Sequence, residues 1–298
     1  MDAKETDVHA HDRGLAFDLA TLLERQAGHG PDGVMEARAG GAAAGRGLSR
    51  RGALRYLAGG GLAVLAGSAL VGCADSPLPP TLPGGDEPTA GCTRIPEETA
   101  GPFPGDGSNG PNVLTRSGVV RSDIRSSFGS ASGVAEGIPL TVTLDILDVS
   151  KNCAPLAGAA VYLWQCDREG GYSLYSDAVR NENYLRGVQA ADASGKVTFT
   201  TIFPGAYTGR WPHIHFEVYP SLASATSSRN KIATSQLALP EDVCDAVYAT
   251  PGYEKSVPIF SRLSLNTDMV FRDSHASQLA RMGGDISSGL TARLSVPV

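Results

Sequence analysis

Between residues 140 and 239 the chain is a series of short apolar alternations, each closed off by glycine or proline. Leu140–Leu147 sets Leu140, Val142, Leu144 and Ile146 against Thr141, Thr143 and Asp145, a period of two that suits a half-buried strand and no helix. Residues 159–165, 197–203, 213–219 and 232–239 are further strand candidates, and the turns between them are 169–171, 192–195 and 204–205. Regular strands with such punctuation predict an all-β body: a single antiparallel β-sandwich with long loops and one or two short helices, one of them at about Pro240–Tyr248. With 36 Gly, 19 Pro and 19% charged residues the composition fits a loop-rich globular protein and excludes collagen-like, coiled-coil and wholly disordered chains.

The first 72 residues read as an address. Ser49-Arg50-Arg51-Gly52-Ala53-Leu54-Arg55 precedes an uncharged run from Tyr56 to Val71, which ends in Leu70-Val71-Gly72-Cys73. A basic pair, a short apolar run and a small-residue stop are the parts of an export signal. The run is shorter than the about 20 residues a membrane helix needs, and Gly59, Gly60, Gly61 and Gly67 dilute it. The order S-R-R-x-x-L-R resembles twin-arginine signals, and L-V-G-C resembles the lipobox of bacterial lipoproteins. These resemblances imply cleavage before Cys73 and a lipidated Cys73 as the only membrane contact, with the protein on the outer side of the cytoplasmic membrane or at the cell surface. Residues 73–96, with Pro77, Pro79, Pro80, Pro83 and Pro88, read as a tether, leaving 97–298 as the folded body.

Charge separates these parts. Residues 1–72 are balanced, so the net charge of −6 falls wholly on the remainder, which disfavours nucleic acid as a partner. After Cys73 four cysteines remain (Cys92, Cys153, Cys166 and Cys244), an even number suited to one or two disulfides in an oxidising compartment. Cys166 and Cys244 are one plausible pair among three possible connectivities. With no C-x-x-C pair, a thiolate zinc site is disfavoured.

Residues two apart on a strand point the same way, so His213, His215 and Glu217 share one face, and Ile214, Phe216 and Val218 take the core. Both imidazoles then project from one surface at a spacing suited to chelating a single metal. Immediately upstream, 202–212 reads as a strand ending in the Pro204-Gly205 turn, which brings Tyr207 and Arg210 back beside the histidines. A second Tyr-bearing loop, Glu169-Gly170-Gly171-Tyr172-Ser173-Leu174-Tyr175, follows the strand that holds Trp164.

The run from Tyr184 to Phe216 closely resembles the core of the intradiol ring-cleavage dioxygenases, with an F-x-T-I-x-P-G-x-Y strand and turn and an Arg three residues before H-x-H-F. The family's W-[HQ]-x-[DN]-x-x-G-x-Y element is present as residues 164–172, and Thr99-Ala100-Gly101-Pro102-Phe103 resembles its T-x-G-P-[YF] loop. The resemblance spans about residues 92–298. It implies non-haem Fe(III) held by Tyr172, Tyr207, His213 and His215, two hard phenolates matched to a ferric ion and two neutral imidazoles. It further implies that a catechol-type aromatic is opened between its hydroxyls with both atoms of O₂, giving a cis,cis-muconate-type diacid. Arg210 would stabilise charge on the bound ring, since a guanidinium cannot donate its proton at pH 7, and Gln236 would stand beside it. Tyr175 competes with Tyr172 for the first position, and spacing from Trp164 favours Tyr172. The mature chain lacks room for the helical dimerisation domain of cytoplasmic catechol dioxygenases, so a monomer is expected.

Two other readings make different demands. A non-catalytic, surface-anchored β-sandwich that binds glycan or protein needs no converging H-x-H, Arg and second Tyr loop. A zinc hydrolase would need a third His or a carboxylate, and only Glu217 shares the face.

Overall fold

The computed structural model describes residues 92–298; the expected leader, Cys73 and the tether as far as residue 91 lie outside the described residues. The strands in chain order are β1 (Pro139–Asp148), β2 (Ala154–Pro155), β3 (Ala160–Trp164), β4 (Arg186–Ala190), β5 (Lys196–Ile202), β6 (His213–Tyr219), β7 (Ala233–Ala238), β8 (Arg281–Asp285) and β9 (Gly289–Pro297). Helices α1 (Glu241–Tyr248) and α2 (Ser256–Phe260) follow β7. One sheet runs β4-β3-β6-β7; the other runs β2-β1-β9-β8, with β5 also paired to β1.

The inner faces of both sheets share one apolar core. Leu140, Val142, Leu144 and Ile146 of β1 are fully buried there, together with Val161 and Leu163 of β3 and Ile214, Phe216 and Val218 of β6. The period of two therefore sorts side chains as the sequence predicted. One expectation is corrected: the strands are not all antiparallel, because β9 runs parallel to β1, from Leu140 opposite Leu290 to Leu147 opposite Pro297. The β8–β9 hairpin, closed with Asp285 opposite Gly289, follows a long excursion after β7, and only a connection of that length lets β9 lie parallel to β1.

The sheet β4-β3-β6-β7 is buried on both faces. Every residue of β6 is buried, including His213, His215 and Glu217. Apolar side chains cover one face, and the loops 100–120 and 166–185 lie against the other, where Val113, Leu114 and Tyr175 pack with Tyr162 and Trp164. The β4–β5 turn that leads from one sheet to the other closes at Gly195, whose φ of +75° favours glycine. The Gly195 N–H donates to the Asp192 carbonyl, 2.9 Å.

The body begins earlier than residue 97. Ile95 lies in the core and its N–H donates to the Pro297 carbonyl, 2.8 Å, while Cys92 is disulfide-bonded to Cys153. Residues 92–96 thus belong to the folded unit. Cys166 and Cys244, read as a plausible pair, are both buried free thiols.

Candidate metal and substrate site

The outer face of β6 carries the site. Register places His215 opposite Trp164 on one side and Gln236 on the other. The His215 ring stacks flat on Trp164, 4.8 Å between centroids, and Trp164 stacks in turn on Tyr162, 5.0 Å. This column fixes the imidazole plane. His213 is oriented differently: its Nδ1 meets the Trp211 carbonyl, which can only accept, so the proton sits on Nδ1 and the Nε2 lone pair faces the site.

The two tyrosines arrive on loops pressed against each other. Asp167 shapes the first: its Oδ1 accepts from the N–H groups of Glu169 (3.0 Å) and Gly171 (2.8 Å), and its Oδ2 from the Tyr184 hydroxyl (3.1 Å). The Gly205 N–H of the second loop donates to the Asp167 carbonyl, 3.0 Å. A Cβ at Gly205 would collide with the Arg168 carbonyl, so the P-G-x-Y turn needs glycine for close approach and not for its dihedral angle. Arg186, fully buried, ties the Tyr172 loop to the 103–104 segment by donating to the carbonyls of Ser173 (2.8 Å), Phe103 (3.0 Å) and Pro104 (2.7 Å).

Four donor atoms converge. His213 Nε2 lies 3.0 Å from His215 Nε2 and 3.2 Å from the Tyr207 hydroxyl, which is 3.4 Å from the Tyr172 hydroxyl. Tyr172, His213 and His215 are buried, whereas Tyr207 is partly open to solvent. Tyr175 does not join them: its hydroxyl donates to the Asn109 carbonyl (2.7 Å) and accepts the Gly105 N–H (2.8 Å).

The chemistry of this donor set fits a metal cation. Spacings of 3.0–3.4 Å are the edges expected for ligands each about 2 Å from a common centre. Burial, reinforced by Arg210, pushes His213 down to about 3 and holds His215 well below the usual imidazole value, so both are neutral and free to coordinate at pH 7. Burial, then the neighbouring Tyr207, pushes the Tyr172 phenol well above its usual value. A phenolate there needs a cation beside it. Among the described residues no three His, Cys, Asp or Glu side chains converge for a metal, so a cation here draws on phenol oxygen. Glu217, the shared-face carboxylate, is already engaged: its Oε1 meets Lys231 Nζ at 2.8 Å and its Oε2 accepts from Tyr219 at 2.7 Å.

Arg210 and Gln236 come together as expected. Arg210 Nη2 donates to Gln236 Oε1 (2.7 Å), and Gln236 Nε2 donates to the Thr99 carbonyl (2.9 Å). Asp268, unanticipated from the sequence, accepts from Arg210 Nε at 3.0 Å. Its contact lies 58 residues along the chain in a segment without a motif. Asp167 fills the acidic position of the 164–172 element without a role having been assigned to it, and Arg186 was not singled out, although a lone charge beside an apolar strand is a usable signal there.

Comparison with known proteins points to the same family as the motifs. A protein-family model described as Dioxygenase matches residues 110–249. The structure is similar to that of an intradiol ring-cleavage dioxygenase from Tetranychus urticae, with a TM-score of 0.54 and 27% identity over 70% of this chain and 96% of that one. The described body is similar in sequence and fold to the intradiol ring-cleavage dioxygenases. Two further likenesses are weaker. The dioxygenase domain of a dioxygenase carbohydrate-binding protein fusion from Streptomyces sp. SirexAA-E gives a TM-score of 0.42 at 22% identity, covering 68% of this chain and 97% of that one. Catechol 1,2-dioxygenase from Pseudomonas arvilla C-1 gives 0.37 at 18%, covering 59% and 55%.

Proposed function

We propose that this protein opens a catechol-type ring between its two hydroxyls, incorporating both atoms of O₂ to give a cis,cis-muconate-type diacid, at a non-haem Fe(III) held by Tyr172, Tyr207, His213 and His215. The observation that carries this reading is the convergence of two phenol oxygens and two imidazole nitrogens on the buried face of β6. When bound, ferric iron supplies the Lewis acidity that binds the catechol as a dianion. The protein's part is preorganisation. Trp164 and the Trp211 carbonyl fix the two rings, and Tyr207, the partly exposed member, would be the side chain that gives way to a chelating substrate. A catechol bound as a dianion gives up two protons: Tyr207 would accept one at its Oη, and the other would leave to solvent on the partly open side of the site. Arg210 keeps its charge at pH 7 and offsets negative charge on the bound ring.

The two sheets sharing one core are read here as the layers of the family's sandwich. The twin-arginine and lipobox elements ending at Cys73 support export and a lipid anchor, placing the enzyme where it meets aromatics outside the cytoplasm. The body is proposed to act as a monomer.

Oxygen uptake with product identification across a panel of catechols tests the reaction. Stoichiometric uptake with a muconate-type product is expected. Metal-dependent hydrolysis without oxygen uptake, or binding without turnover, would replace it.

A further inference from the structure

Asp268 is buried and saturated with donors. Its Oδ2 accepts from Arg210 Nε (3.0 Å) and the Trp211 N–H (2.7 Å), and its Oδ1 from the N–H groups of Val270 (2.8 Å) and Phe271 (3.1 Å). Arg210 is correspondingly held from two elements, by Asp268 on one side and by Gln236 of β7 on the other. The Phe271 ring lies against the guanidinium, 5.8 Å from its centre.

Resting on the dioxygenase reading, we propose that Asp268 is the positioning residue of Arg210: it sets where the guanidinium charge stands relative to the substrate ring, without touching substrate or iron. Three features support this. The carboxylate is ionised, because Arg210 and the surrounding N–H donors overcome the burial that would otherwise raise it. Its own position is fixed by three backbone donors, so it is a rigid reference and not a mobile counter-ion. Trp211 links it directly to His213, since the Trp211 N–H donates to Asp268 while the Trp211 carbonyl receives His213 Nδ1. One peptide segment therefore registers Arg210 and an imidazole of the site to the same carboxylate. Electrostatic stabilisation depends on such placement, and a displacement of about 1 Å can cost about 10²-fold in rate.

A loop clamp alone would share these contacts, so the test must separate the two roles. In the full chain loaded with iron, Asp268→Asn, Arg210→Gln and the double variant are compared for kcat and KM by oxygen uptake, for the visible absorption band, and for the Tm of the iron-free protein. Asp268→Asn is expected to lower kcat about 10²-fold when Arg210 is present and less than about threefold in the Arg210→Gln background, with the band unchanged. The two Tm losses are expected to be non-additive as well. Equal fold-losses in both backgrounds, or no loss beside Arg210, would overturn the assignment. Should Asp268→Asn not fold, Asp268→Glu, which keeps the charge but lengthens the side chain, decides the same non-additivity. A wild-type enzyme that takes up no oxygen with any catechol overturns the dioxygenase reading itself; an active wild type with additive losses overturns only the role of Asp268.

Discussion

The two faces of β6 divide the labour of the molecule between them. Ile214, Phe216 and Val218 point into a core shared with β1, β5 and β9, while His213, His215 and Glu217 point into a layer of loops. Both faces are equally buried, yet one is held by apolar packing and the other by hydrogen bonds and ring stacking. Burying imidazoles, a carboxylate and phenols costs free energy that packing does not return. The outer face therefore spends stability for chemistry, and the inner face supplies it.

The sharpest way to break this contrast is substitution on the outer face. His213→Ala, or Tyr172→Phe, is expected to lower oxygen uptake by at least about 10³-fold, while the Tm of the iron-free protein is unchanged or raised. A large Tm loss would show that the face is structural after all. On the inner face the expectation reverses: Phe216→Ala should cost about 3–5 kcal/mol in denaturant unfolding, because a fully buried ring leaves a cavity between the sheets.

The edge of the body gives an intermediate effect. The Cys92–Cys153 disulfide closes a separation of 61 residues and pins the segment that runs on through Ile95 to Thr99 beside Gln236. Replacing both cysteines by serine should cost about 2–4 kcal/mol, read as the Tm difference between that variant and the oxidised wild type. A variant as stable as the wild type would show that hydrogen bonds alone secure the segment.

The smallest expected effect is a pH slope. Burial lifts the Glu98 carboxyl from 4.5 to about 7, against the Gln278 and Ser274 donors that favour its ionised form, with Asp273 raising it further and Arg210 lowering it. A carboxyl with a raised folded value binds more protons folded than unfolded, so its contribution to stability is present below pH 4.5 and is lost as pH rises through about 7. The wild-type Tm should therefore fall between pH 5 and 7 more steeply than that of Glu98→Gln. Identical slopes would remove Glu98 from the account.

How much of this was legible depends on what each residue answers to. β1 and β6 were readable because local alternation and burial agree, and Tyr207 with H-x-H was readable because one short loop joins them. β9 alternates as cleanly, with Leu290, Ala292, Leu294 and Val296 inward, but no local signal announces its parallel pairing to β1. β8 was illegible because its residues are mostly exposed and two of them are glycine. The choice of Tyr172 over Tyr175 followed from motif spacing, and the structure adds the cause: Tyr175 is bonded to the 105–109 loop. Asp268 could not be seen, since an acidic residue in a coil segment reveals a buried partner only once the chain has folded.

The visible absorption spectrum of the protein expressed with added iron tests the central claim most directly. The account predicts about one iron per chain and a broad phenolate-to-Fe(III) band that weakens in Tyr172→Phe and changes when catechol is added. A colourless protein that takes up no iron under those conditions would contradict it.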